Sequence, residues 1–120
     1  MPQGRTAREA NRLVGLYAMP PTQEVRVFTY VGLFRLTPVA REHLEKTPEY
    51  LEKIQEIVEI EGGKLERFMA IMGPWEYLGI FTYPDNEAAF RVLGKIAKLE
   101  VFETETFPAE DVEKFFKVLV

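Results

Sequence analysis

The sequence predicts an α+β domain: one antiparallel sheet of four strands with two crossover helices on the same face. Three observations carry that prediction. Strand-like and helix-like apolar patterns alternate in the order β-α-β-β-α-β from residue 25 onward. The two middle strand segments are joined at Gly73-Pro74, which suits a hairpin turn and leaves no room for a crossover. The chain has 120 residues, 47% of them hydrophobic and 28% charged, which is the size and composition of one domain with a buried core.

Residues 1–24 read as an arm. Thr6-Ala7-Arg8-Glu9 has the spacing of a capping box, and Ala10, Leu13 and Val14 follow at helical intervals until Gly15 offers a stop. Met19-Pro20-Pro21-Thr22 breaks any continuation, so 16–24 is expected to be a linker. Docking of the arm on a partner subunit and a natural start at Met19 are both open on this reading.

Residues 25–120 form the expected domain. In the first strand, 25–36, Val25, Val27, Val31 and Leu33 lie on one side and Phe28, Tyr30, Phe34 and Leu36 on the other, so both faces call for cover. Thr37-Pro38 closes this strand. Thr47-Pro48-Glu49 opens a helix, with Thr47 as N-cap and Pro48 at the tolerated first position. Leu51, Ile54, Ile57, Val58 and Glu61 carry it to the stop at Gly62-Gly63. The hairpin strands are read at 64–72 and 75–83. A second helix starts at Pro84-Asp85-Asn86-Glu87 and runs through Ala88, Ala89, Val92, Leu93 and Ile96, with Gly94 a weak point. The fourth strand is 101–107. Pro108-Ala109-Glu110-Asp111 then starts a last helix whose Val112, Phe115, Phe116 and Leu119 form one stripe. This is a ferredoxin-like arrangement that leaves one sheet face bare. A second copy is the simplest cover, so a homodimer through the open face is expected.

Composition removes several chemistries. The chain has no Cys and no Ser, and its single histidine is His43, so it offers no serine or cysteine nucleophile, disulfide, thiolate zinc site or paired-histidine metal site. Neither a metal nor a cofactor is expected. The net charge of −4 divides into +2 over residues 1–20 and −6 over the rest, which gives nucleic acid no basic face. The apolar stretch Leu13 to Tyr17, broken by Gly15, is too short for a signal core or a membrane span, so the expected location is cytoplasmic.

What remains for function is aromatic and acidic. Trp75 and Tyr77 after the hairpin turn, with Tyr30, Phe34, Phe81 and Thr104 on neighbouring strands, would line an apolar pocket in which Tyr30 or Tyr77 supplies a hydroxyl. The competing reading is that these rings simply fill the core, since strands are enriched in aromatics. An RNA-stacking sheet would need a basic and Gly-aromatic signature that is missing. Glu76 ranks first among the acids because it sits in a mostly apolar hairpin, although turn amides or a helix end are alternative partners for it. His43, among Arg41, Glu42, Glu45 and Lys46, is either a general base or an exposed histidine in a charged stretch. Glu103 and Glu105 share one strand face, as a carboxylate pair or as a solvated edge.

Taken together, Gly73-Pro74-Trp75-Glu76 and Pro84-Asp85-Asn86-Glu87-Ala88-Ala89 resemble the GYD domain family. Tyr30, Leu33 and Thr37-Pro38 resemble its first strand, Thr47-Pro48-Glu49 and Gly62-Gly63-Lys64-Leu65 its helix, and Thr104-Glu105-Thr106 with Ala109 its last strand. Trp75 stands where the family has Tyr, Glu76 where it has Asp, and Tyr50 where many members have Arg. The resemblance implies a small dimeric α/β barrel, a superfamily that includes cofactor-free monooxygenases, cyclases, isomerases, haem proteins and ligand sensors. Two functions are therefore expected to compete. One is a module that binds an apolar or aromatic small molecule. The other is a cofactor-independent monooxygenase, cyclase or isomerase using Tyr30, His43, Tyr77 or Glu76 for proton transfer, which requires two titratable groups to converge on one pocket.

Overall fold

A computed structural model describes residues 27–119; the expected arm at 1–24 and the start of the first strand lie outside them. In chain order the elements are β1 (Phe28–Leu36), α1 (Pro38–Arg41), a 3-10 turn (Leu44–Lys46), α2 (Thr47–Ile60), β2 (Lys64–Ala70), β3 (Tyr77–Tyr83), α3 (Asn86–Leu99), β4 (Phe102–Ala109) and α4 (Val112–Leu119). The fold is α+β. Its strands form one antiparallel sheet of order β2-β3-β1-β4, with β1 central.

The boundaries depart from expectation where local chemistry intervenes. Thr37, at the end of β1, accepts a hydrogen bond from the Ala40 amide at 3.3 Å and so caps a short α1 that the apolar pattern did not announce. The 3-10 turn runs directly into α2, which places Thr47 inside the first turn with Lys46 at the cap position. At the other end of α2 Gly62 takes a left-handed φ of 82°, the conformation that closes a helix without a Cβ penalty. The hairpin is longer-tipped than read, with β2 ending at Ala70 and β3 starting at Tyr77, so Trp75 and Glu76 belong to the connection. The strand β4 continues through Pro108, which an edge strand tolerates because no ladder partner needs its missing N–H.

The core lies between one sheet face and the helices. Phe34, Leu36, Phe81, Tyr83 and Phe102 meet Ile54, Ile57 and Val58 of α2 and Ala88, Ala89, Val92 and Ile96 of α3 in one buried cluster. Full burial of side chains of this size stabilises the fold by about 1.5–3 kcal/mol each. Among the described residues no helix lies across the opposite face. Its register puts Val31 beside Ile80 and Phe107, and Leu33 beside Leu78, with Met69 next in line on β2. All of these are half-buried except Phe107, which is exposed.

Candidate functional site

The aromatic residues expected to line a pocket fall into two groups. Across the middle of the sheet Gly32 and Gly79 are register partners on the core face. A Cβ on Gly79 would stand 2.7 Å from Cε1 of Phe81 and 3.1 Å from Cδ1 of Phe68, and one on Gly32 only 2.8 Å from Cε1 of Phe34. The glycines thus let rings lie flat on the backbone. Phe34 packs edge-on against Phe68 and Phe102, with centroids 5.4 and 5.5 Å away, and Phe68 stacks on Tyr77 at 5.4 Å. Phe34 and Phe81 are buried within this layer, and Thr104, the register partner of Phe34, sits half-buried beside it. The space between sheet and helices is therefore occupied by the protein's own rings at this level.

Room opens at the end of the sheet where β1 begins and β4 finishes. A cavity of about 410 Å³ is lined there by Phe28, Thr29, Tyr30, Asn86, Pro108 and Glu110, among others. The Tyr30 hydroxyl donates a hydrogen bond to Oδ1 of Asn86. Asn86 is held there because its neighbour Asp85 caps α3, accepting from the Ala88 amide at 2.7 Å, which fixes the first turn. Tyr83 lies behind Tyr30 with ring centroids 5.8 Å apart and is only 4% exposed. Burial pushes its hydroxyl well above the ordinary tyrosine range, and Tyr30 adds to that shift, so Tyr83 stays protonated and cannot act as a base near neutral pH. Asn86 and Tyr83 were not picked out from sequence as site residues. The capping signal at Asp85 was visible, but that it aims the next side chain at Tyr30, 56 residues away, is a tertiary fact.

Glu76 and Trp75 lie at the other end of β1. Glu76 Oε1 accepts from the Leu36 amide at 2.7 Å, and its Oε2 accepts from the Arg41 guanidinium. Its own amide donates to Phe34 O, and its carbonyl accepts from the Ile71 amide, each at 2.9 Å. Glu76 therefore bolts the hairpin connection to the end of β1. Arg35 sits 4.3 Å over the Trp75 ring and pairs with Glu103 at 2.8 Å, so Trp75 belongs with the charged border of the open sheet face. Five residues of strand separate Arg35 from Tyr30, which is about 16 Å. His43 is half-exposed in the loop after α1, with Nδ1 3.6 Å from Glu45. Glu105 is exposed on its strand. Tyr30 alone of Tyr30, His43, Glu76 and Tyr77 lines the 410 Å³ cavity. Among the described residues no three His, Asp or Glu side chains gather as a metal site would require, and no helix is long and apolar enough to cross a membrane.

No curated protein matches the chain. The family model of the GYD domain matches residues 30–119, well over half of the sequence and every element from β1 to α4, and the chain belongs to the GYD domain family.

Proposed function

We propose that this protein is a homodimeric, ferredoxin-like α/β-barrel module that binds a small apolar or aromatic molecule in the cavity beside Tyr30. The cavity carries the reading. Its volume of about 410 Å³ is in the range of small-molecule sites, and it combines the Phe28 and Pro108 side chains with the Tyr30–Asn86 pair as a polar anchor. The sheet order, with β1 central and β4 beside it, supports the ferredoxin-like description. Val31, Leu33, Leu78 and Ile80 on the bare face support the dimer, because contiguous apolar surface of this kind marks an interaction site. Binding is favoured over proton-transfer catalysis by the dispersal of the titratable candidates: Glu76 and Arg41 are committed to each other, and His43 and Tyr77 stand elsewhere.

Titration with a neutral fluorescent naphthylamine, alongside native mass spectrometry of the freshly purified protein, tests the reading. Saturable binding is expected, with Tyr30→Phe or Asn86→Ala weakening it about fivefold to tenfold, the effect of one lost hydrogen bond. Binding that both variants leave unchanged, or no saturable binding, would remove the cavity from consideration.

A further inference from the structure

The last helix is built to be covered, yet among the described residues nothing buries its apolar face. Val112, Phe115, Phe116 and Leu119 form one stripe of α4, and they are 60%, 52%, 57% and 65% exposed. A stripe of two phenylalanines, a leucine and a valine on an eight-residue helix does not hold itself folded in water; short helices depend on packing of their apolar face. The position of α4 is the second observation. Lys114 of α4 and Asp111 just before the helix share a groove of about 300 Å³ with Thr29, Val31 and Ile80, which are residues of the bare sheet face. The root of α4 therefore stands at the margin of that face, and whatever lies on the face runs beside the helix.

Area supplies the third argument. Four strands about 4.8 Å apart, over a paired length of seven residues, present on the order of 400 Å². A stable dimer buries about 800 Å² on each partner, so the sheet face by itself falls short. One apolar face of α4 adds on the order of 100–200 Å², and in a two-fold dimer it counts twice on each chain, once as the helix and once as the surface that receives the other helix.

We propose that α4 is a clasp, its Phe115–Phe116 stripe seated on a second copy of this chain at the rim of that copy's open sheet face. The proposal rests on the dimer reading above and specifies how the dimer closes. In a two-fold arrangement each helix reaches over the edge of the opposite sheet, so two equivalent clasps flank the sheet-to-sheet contact. Glu113 and Lys117, which edge the stripe on one side, then lie near Arg67 and Glu105 at the border of the opposite face.

Sedimentation equilibrium on the full chain separates the two ideas. The double substitution Phe115→Glu/Phe116→Glu is expected to weaken dimerisation at least tenfold, with the far-ultraviolet circular dichroism of the domain retained because these side chains are outside the core. Val118→Glu, outside the stripe of α4 and 81% exposed, is expected to leave the dissociation constant unchanged. A native chain that sediments as a monomer overturns the dimer and the clasp together. A dimer that the double substitution does not weaken overturns the clasp and leaves the dimer standing. The absence of cysteine provides a second readout. Chains carrying Leu119→Cys alone and chains carrying Arg67→Cys alone, mixed in equal amounts, are expected to join through a short bis-maleimide. If the linker joins the two positions only when one chain carries both substitutions, α4 folds back on its own domain and the proposal fails.

Discussion

At the scale of single residues, Glu76 shows how an acid that looks functional in a sequence becomes structural in a fold. It was legible as the acid beside the hairpin turn, in a mostly apolar stretch. Its partners were not, because the Leu36 amide is 40 residues away and the Arg41 guanidinium 35. Both carboxylate oxygens are spent on those groups, and with its backbone it makes four links, three from the connection to the ends of β1 and β2 and one to α1. Glu76→Ala leaves the half-buried Leu36 N–H unpaired and Arg41 without its counter-charge. A loss of about 1–3 kcal/mol is expected in urea unfolding. Glu76→Gln, which keeps an acceptor for Leu36, should lose less. A Glu76→Ala protein as stable as the parent would show that the carboxylate is not the bolt. Tyr30 is the reverse case: the sequence offers it, beside Tyr77, as a source of a hydroxyl, and the placement of Asn86 at the start of α3 is what separates the two.

At the scale of elements, periodicity made most of the architecture readable. Ile54, Ile57 and Val58 are the buried face of α2, and Ala88, Ala89, Val92 and Ile96 that of α3, all within helices read from three-and-four spacing. What periodicity leaves out is the fastening between elements. Glu61 follows the last residue of α2, where the helix dipole disfavours a carboxylate. It is held there by Arg91 at 2.6 Å and Lys95 at 2.7 Å, both from α3, and its side chain is only 13% exposed. The hydrogen bonds from Lys95 and Arg91 hold its carboxyl below the usual glutamate value of 4.5 and outweigh desolvation. A lowered folded-state value means the clamp contributes fully above pH 4.5 and is lost as the carboxylate protonates below it. Glu61→Gln should therefore unfold at lower urea than the parent at pH 7, and the gap should close as the pH is taken below 4.5. A gap that stays constant down to pH 3 would assign the effect to packing. The same limit explains α4: its stripe was legible, but a stripe says that a face seeks cover and nothing about which surface provides it.

At the scale of the whole molecule, the bare face of the sheet is an apolar surface that all four strands share. The sequence already showed β1 apolar on both parities, and among the described residues the fold buries the side that carries Phe34 and Leu36 and leaves the other without a helix. Val31, Leu33, Leu78 and Ile80 on the other side are half-buried. If a second copy completes that cover, folding and association are linked, and stability depends on protein concentration. Each tenfold rise in concentration then adds about 1.4 kcal/mol per dimer, so with the urea sensitivity of small proteins the unfolding midpoint should rise by about half a molar between 10 and 100 µM. Leu78→Lys places a charge in the middle of the bare face, opposite Leu33 and away from the core cluster. It should abolish the concentration dependence while leaving a cooperative transition, because the core between sheet and helices is untouched. A parent protein whose midpoint is the same at both concentrations would mean that the face is open in solution, and the apolar row on β1 and β3 would then need a different partner.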